Sequence, residues 1–366
     1  MKPIYIMIGG FLGAGKTSTI SRLARHYMEL GKRVGIVTND QTTDLVDTQS
    51  LRSQGFDVGE VAGSCFCCNF NALTSTVEQL GEGQLPEVIL AEPVGSCTDL
   101  VATVIRPLTE VYGVPLDIAP YGVILKPSHG LRILRGDSGS GSGFSPKANY
   151  IFRKQIEEAD FVVINRVDEL PEEDVTLLQR LIEEQYPDRP VLRCSAKSGA
   201  GFPALVEMLK QRGQFGCRVM EVDYDIYAQG EAELGWLNSQ VVVKSTTDFD
   251  LDAFLMDLIL RLHARLLSSG AEAAHLKVIG LCDGSYAVAN LVSNATGPEL
   301  SLASLTRTPM ANVVVNARVG IDPAELETFV REELDAAAKA IGASQNVISL
   351  QSFRPGRPVP THRITS

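Results

Sequence analysis

A chain of 366 residues, 45% of them hydrophobic, has room for about two domains, each with a packed core of its own. Its formal net charge of −11 argues against nucleic acid as a main partner, and no apolar run approaches the roughly 20 residues of a membrane-spanning helix. Met1 leads almost directly into an apolar strand pattern, which leaves no room for a secretory leader and makes the cytoplasm the expected compartment. In that reducing setting, 7 cysteines, an odd number with three crowded together, imply metal or redox chemistry and not a disulfide framework.

In chain order, Ile4-Tyr5-Ile6-Met7-Ile8 is a short apolar, β-branched run, the pattern of a buried parallel strand. Gly10-Phe11-Leu12-Gly13-Ala14-Gly15-Lys16-Thr17 follows and satisfies G-x-x-x-x-G-K-[ST] at every fixed position. Apolar residues then recur at helical spacing at Ile20, Leu23, Ala24 and Tyr27, with Gly31 as the stop. Strand, glycine loop and helix are the context this motif needs. Gly10, Gly13, Ala14, Gly15, Lys16, Thr17 and Ser18 are the expected phosphate-binding set. Lys16 should reach the β- and γ-phosphates and Thr17 should hold Mg²⁺.

Val34–Thr38 reads as the next strand, and beyond it lies Cys65-Phe66-Cys67-Cys68. Thiolates bind Zn²⁺ or Co²⁺ tetrahedrally, with bonds of about 2.3 Å for zinc, and are poor ligands for Mg²⁺. Cys65 and Cys67 share a face in an extended segment, whereas Cys68 joins them only if the chain turns. A fourth ligand must come from elsewhere: Cys97, Asp40, Asp44, Asp47 or water. Cys194, Cys217 and Cys282 stand alone and read as core residues. A nucleotide loop and a thiol cluster in one domain suggest metal handling driven by hydrolysis.

Val88–Leu90 is a further strand, and residues 126–149, with Gly136-Asp137-Ser138-Gly139-Ser140-Gly141-Ser142-Gly143, read as a flexible surface insertion. The strand Phe161–Ile164 runs into Asn165-Arg166-Val167-Asp168, at the place where N-K-x-D reads guanine in GTPases. The Asp168 carboxylate can accept from guanine N1–H and the N2 amine, a pattern adenine lacks. Asn165 would tie this loop to the phosphate loop, and Arg166, in place of the usual lysine, can cover the purine face. After the strand Pro190–Leu192 comes Ser195-Ala196-Lys197, whose Ala196 N–H would meet guanine O6. Two such motifs in order behind an intact phosphate loop favour GTP over ATP.

Strands alternating with helical patterns predict an α/β, doubly wound, mostly parallel P-loop sheet over residues 1–217. From residue 218 to 353 the pattern changes. Strands are expected at Asn238–Ser245, His275–Leu281, Ser285–Val292 and Ala311–Val319, and helices at Asp250–Leu267 and Pro323–Ile341. This order is close to a split-βαβ, ferredoxin-like α+β domain. Residues 354–366, with three prolines, three arginines and no acid, read as a frayed tail.

Together these motifs resemble the CobW-type metallochaperone GTPases, relatives of the nickel-insertion GTPases UreG and HypB. Gly9–Thr17 is similar to that family's G-F-L-G-[AS]-G-K-T, and Glu60–Cys68 to its E-L-x-x-G-C-x-C-C. Glu92-Pro93-Val94-Gly95 is similar to the E-x-x-G that ends its Walker B strand. The resemblance covers roughly residues 1–210 and implies a GTPase that couples GTP and GDP states to the binding and delivery of Zn²⁺ or Co²⁺. A client metalloprotein and a second copy of the chain are the implied partners. It also implies catalytic roles for Lys16, Thr17, Asp40 and Glu92: Thr17 and, through water, Glu92 at Mg²⁺, and Asp40 orienting the attacking water or a Mg²⁺-bound water. The switch departs from the family's N-E-F-G-E at Asn39-Asp40-Gln41-Thr42-Thr43, Ser64 replaces a glycine, and Cys97 has no family counterpart. The alternatives are a GTPase that loads or repairs a cobalamin-dependent enzyme or assists cobalamin synthesis, and a nucleotide-gated metal sensor that delivers nothing.

Overall fold

Strands too short and apolar to face water are stable only between layers, and the first half of the chain is built from such strands. A computed structural model describes residues 2–39, 48, 51–52, 54–81, 84–113, 115–135, 145–294 and 296–365. It divides into two compact units, Met1–Ala228 with Arg357–Ser366, and Gln229–Gly356.

The first unit contains β1 (Ile4–Gly10), β2 (Val34–Asn39), β3 (Asp57–Val61), β4 (Val88–Glu92), β5 (Asp117–Ile118), β6 (Gly122–Leu125), β7 (Phe161–Ile164) and β8 (Val191–Arg193). They form one 8-stranded sheet in the order β3-β2-β4-β1-β6-β7-β8, with β5 beside β1, and every pairing is parallel. Helices between the strands cover the sheet, among them α1 (Lys16–Glu29) and α2 (Phe70–Gln79). Ile6, Ile8, Ile20, Leu23, Leu90 and Val163 sit in one of the resulting cores. This is the doubly wound sheet expected from the alternation of patterns. Loops at the carboxyl ends of β1, β3, β4, β7 and β8 carry the phosphate-loop, cysteine, Glu92–Gly95, Asn165–Asp168 and Ser195–Lys197 motifs, on the edge where such sheets bind ligands, and the switch motif begins at Asn39, the last residue of β2.

Two readings of this unit need correction. Residues 126–149 are not one mobile insertion: Pro127–Leu134 is a helix that buries His129, Gly130, Leu131, Ile133 and Leu134, and Pro146–Glu158 is another. The Gly- and Ser-rich core of that stretch, residues 136–144, lies outside the described residues. The terminal segment is not frayed either. Residues 357–366 belong to the first unit, where Arg357, Thr361, Arg363 and Ile364 all make hydrogen bonds.

The second unit comprises β9 (Gly235–Asp250), a helix Leu251–Ser269, β10 (Ala273–Cys282), β11 (Ser285–Leu291), β12 (Pro298–Leu302), β13 (Arg307–Val319), a helix Pro323–Ala340 and β14 (Ser344–Phe353). The strands form an antiparallel sheet in the order β12-β11-β10-β13-β9-β14. Its β14-β9-β13-β10 part has the ferredoxin-like arrangement, with β11 and β12 added beyond β10. Val241, Val243, Val313 and Val315 share one core with Leu255, Leu262, Val330 and Leu334 of the two helices. The Asp250 carboxylate caps the first of these helices by accepting the Ala253 N–H at 2.9 Å. Among the described residues no helix is long and apolar enough to cross a membrane.

Candidate functional site

The phosphate loop bends where only glycine fits. At Gly10 φ is 133° and a Cβ would lie 2.2 Å from the Ile124 carbonyl oxygen; at Gly15 φ is 94° and a Cβ would lie 2.4 Å from Asn165 Nδ2. The loop delivers Lys16 and Thr17 to the first turn of α1, where backbone N–H groups and the helix dipole favour an anion. The buried Lys16 ammonium donates to the carbonyl oxygens of Gly10 at 3.0 Å and Phe11 at 3.4 Å. Thr17 Oγ1 donates to Glu92 Oε1 at 2.8 Å. Glu92 is buried at the end of β4, in register with Thr38 of β2. A hydroxyl and a carboxylate side by side at a phosphate loop are the hard oxygen donors that suit Mg²⁺. Asp40, the sequence candidate for orienting water, lies outside the described residues, as do Thr43, Asp44 and Asp47.

Asn165 joins three loops through one buried amide. Its Nδ2 donates to Ala14 O at 2.8 Å, and its Oδ1 accepts the Ala196 N–H at 2.9 Å. The phosphate loop and the Ser195–Lys197 loop are thereby held in one frame. Arg22, on α1 and not singled out from sequence, tightens the frame from outside: Nε donates to Ala196 O at 2.7 Å and Nη2 to Lys197 O at 2.9 Å. Arg166 takes a left-handed backbone (φ 60°), pairs with Glu169 and reaches Gly13 O at 3.5 Å. Asp168 is exposed beside it, and the buried Ser195 hydroxyl accepts the Ser198 N–H at 3.1 Å. The strand ends thus bring Gly13, Lys16, Asn165, Arg166 and Ala196 together.

The three clustered thiols converge because the chain turns at Cys65, whose carbonyl accepts the N–H groups of Cys68 and Asn69, each at 3.0 Å. The Sγ separations are 2.9 Å for Cys65–Cys67, 3.0 Å for Cys65–Cys68 and 3.8 Å for Cys67–Cys68. Bonds of about 2.3 Å at tetrahedral angles imply sulfur–sulfur edges of about 3.8 Å. One edge has that length and the other two need to open by less than about 1 Å. Among the described residues, Cys65, Cys67 and Cys68 are the group able to hold an ion.

Charge in the cluster gathers on one sulfur. Interactions with Cys67, Cys68 and Cys97 hold the Cys65 thiol far below its ordinary pKa. The same interactions with Cys65, with burial, push Cys67 up and Cys68 up to about 11. Cys97, buried at the end of the β4 loop, therefore adjoins Cys65, although it stands outside the trio whose ligand atoms all lie within 4.8 Å of one another. Its loop is fixed by Gln155, whose Nε2 donates to Gly95 O at 3.0 Å and Cys97 O at 2.8 Å. Cys194 and Cys282 are buried, as expected of core residues, but Cys217 is exposed.

Asn39 is the residue that sequence reasoning passed over. It is the last residue of β2 and lies largely buried against the thiol loop. Nδ2 donates to Val61 O at 2.9 Å and Ser64 O at 2.8 Å, while Oδ1 accepts the Phe66 N–H at 2.8 Å. Position 39 was visible only as the start of the switch motif, and nothing in the residue type signals an amide reaching the cysteine turn.

Residues 4–193 match the CobW/HypB/UreG nucleotide-binding domain. The zinc chaperone YeiR of Escherichia coli strain K12 is 28% identical over 191 residues; the match covers 51% of this chain and 53%, about half, of that protein. Urease accessory protein UreG 2 of a Bradyrhizobium strain is 28% identical over 220 residues, covering 57% of this chain and 90% of that protein. Among solved structures, hydrogenase maturation factor HypB from Archaeoglobus fulgidus aligns at 18% identity with a TM-score of 0.40, over 57% of this chain and 89% of that one. Zn(II)-bound YjiA GTPase from E. coli aligns at 15% identity with a TM-score of 0.37, over 93% and 99%.

Proposed function

The chain belongs to the CobW/HypB/UreG family, matched over residues 4–193, and from that premise we propose that it is a GTP-hydrolysing metallochaperone for a thiophilic divalent ion. The ion, Zn²⁺ or Co²⁺, is cargo: it is taken up at Cys65, Cys67 and Cys68 and passed to a client metalloprotein. Cys97 is the proposed fourth ligand, supported by its burial in the β4 loop beside Cys65, whose thiol it helps to acidify. Zinc agrees with the all-thiol donor set and with the name of the relative YeiR.

GTP is proposed to lie with its phosphates on the amides of Gly13–Ser18. There the Lys16 ammonium would exchange the Gly10 and Phe11 carbonyls for β- and γ-phosphate oxygens. Thr17 and Glu92 are the residues that would hold Mg²⁺, which when bound neutralises charge on those oxygens. Asp168 would accept the guanine N1–H and N2 amine, with Asn165 holding its loop to the phosphate loop. Water, oriented by Asp40, would attack the γ-phosphorus; the bond to the bridging oxygen breaks, and GDP and phosphate leave.

One observation carries the coupling. The amide of Asn39, the first residue of the switch segment, ties the end of β3 and the cysteine turn to β2 by three hydrogen bonds. Whatever the γ-phosphate does to the end of β2 is therefore felt at the thiols. The test is a single turnover of Zn²⁺-loaded protein with GTP in the presence of a chelating dye. Zinc should reach the dye in step with phosphate release, and Lys16→Ala should bring both to a stop. Zinc release at the same rate with and without hydrolysis would refute the proposal.

A further inference from the structure

The last residues of the chain lie across the cysteine turn, and their sequence is suited to that position. In Pro358-Val359-Pro360-Thr361 the prolines have no N–H and preset an extended backbone, so Val359 and Thr361 hold the only amide donors of the four. Both are spent on the thiol loop. Val359 N–H donates to Cys68 Sγ at 3.3 Å, and Thr361 N–H donates to Cys67 O at 2.7 Å. The Thr361 hydroxyl donates to Cys68 O at 3.0 Å.

Anchors hold this crossing on either side. Before it, Arg357 Nε donates to Asp225 Oδ1 at 2.8 Å. Beyond it, His362 meets the Phe70 ring edge-on at 5.1 Å, and the Ile364 N–H donates to Ala102 O at 2.9 Å. Arg363 Nε donates to Oδ2 of the buried Asp99 at 2.7 Å and Nη2 to Met220 O at 3.1 Å. The segment thus matches a buried carboxylate and directs both of its proline-framed amides at one turn.

We infer that Val359–Ile364 is a strap that positions Cys68 and closes the outer side of the thiol site, so that an ion enters or leaves only when the strap lifts. Val359 and Thr361 act as positioning residues: one N–H steadies the sulfur of Cys68, and the other bonds hold the backbone that aims Cys67 and Cys68. An N–H donor on a thiolate also offsets part of its charge and slows its loss from a metal. The inference rests on the proposal that Cys65, Cys67 and Cys68 bind metal.

The experiment compares the full chain with a chain ending at Pro358 and with Thr361→Pro, which keeps the Arg363 anchor but loses both Thr361 donors. Each is loaded with Zn²⁺, and transfer to excess chelating dye is timed. Both changed proteins should release zinc about 10–100-fold faster, the range typical of losing an outer-shell partner. GTP affinity should stay the same in Thr361→Pro. A synthetic peptide of residues 357–366 should slow release again in the shortened chain. If that chain fails to fold, Thr361→Pro decides alone, and release at the full-chain rate would overturn the inference. A metal-free readout separates the strap from the metal reading. Cys68 should react faster with an aromatic disulfide reagent in both changed proteins, and equal reactivity would overturn the strap. If zinc binds no form while the reactivity differs, the metal reading falls and the strap stands.

Discussion

Replacing Asn39 by alanine is a sharp test of how the thiol site is built. The change removes two donated hydrogen bonds, to Val61 O and Ser64 O, and one accepted from the Phe66 N–H, all between 2.8 and 2.9 Å. Three bonds at about 0.5–1.5 kcal/mol net each, with Phe66 buried so that its amide cannot turn to bulk water, predict a stability loss of about 2–4 kcal/mol. The cysteine turn loses the side chain that connects it to β2, so zinc affinity should fall by about 10–100-fold, as for other outer-shell partners. Urea unfolding gives the first quantity and competition with a chelating dye the second. Zinc affinity within twofold of the unmodified protein, with or without a stability loss, would refute the reasoning and leave Asn39 a merely structural residue.

Three other outcomes are expected. Asp168→Ala should erase the preference for GTP over ATP in a titration with fluorescent nucleotides, and retained preference would move base recognition away from this loop. Cys97→Ser should weaken zinc binding by more than the about 10–100-fold of an outer-shell change; unchanged affinity would place the fourth ligand elsewhere. Glu158 tests the same neighbourhood through pH. Burial raises its carboxyl from 4.5 to about 8 against the pull of the Val101 N–H, and the charge of Asp99 adds to the rise. Tyr121 faces it as well and offers no cation. A folded-state pKa above the unfolded one contributes stability that is complete below about pH 4.5 and is lost as pH rises towards 8. Thermal unfolding should therefore show stability falling across that window, less so in Glu158→Gln, and identical slopes would contradict the assignment.

The nucleotide side of the fold was legible because its chemistry fixes spacing. A phosphate loop needs glycines at set positions, and a strand must precede it and a helix follow. The second unit was legible in outline from its periodicity. One apolar strand, β6 with its Val123-Ile124-Leu125 run, was passed over, and the other strands that escaped lacked an apolar run. β3 is Asp57-Val58-Gly59-Glu60-Val61, and β14 is Ser344–Phe353, a strand at the sheet's edge whose pattern is mostly polar; neither announces a strand. The thiol site was half legible. Three cysteines marked it, but whether Cys68 could join depended on a turn that the Cys65 carbonyl makes, and the amide behind that turn comes from Asn39 on another strand. The terminal segment was misread for a related reason. Arginines and prolines without acids suggest fraying when the partner is not in view, and Asp99 lies 264 residues from Arg363.

Nucleotide state and metal binding must be linked in both directions if the account is right. The most direct measurement is the affinity for Zn²⁺, by competition with a chelating dye, of the protein saturated with GDP and then with a non-hydrolysable GTP analogue. The account predicts a difference of about 5–150-fold between the two states, and an equal factor in nucleotide affinity when zinc is added. Equal zinc affinity in both states would contradict it, leaving Cys65, Cys67 and Cys68 as a static site beside an unrelated GTPase.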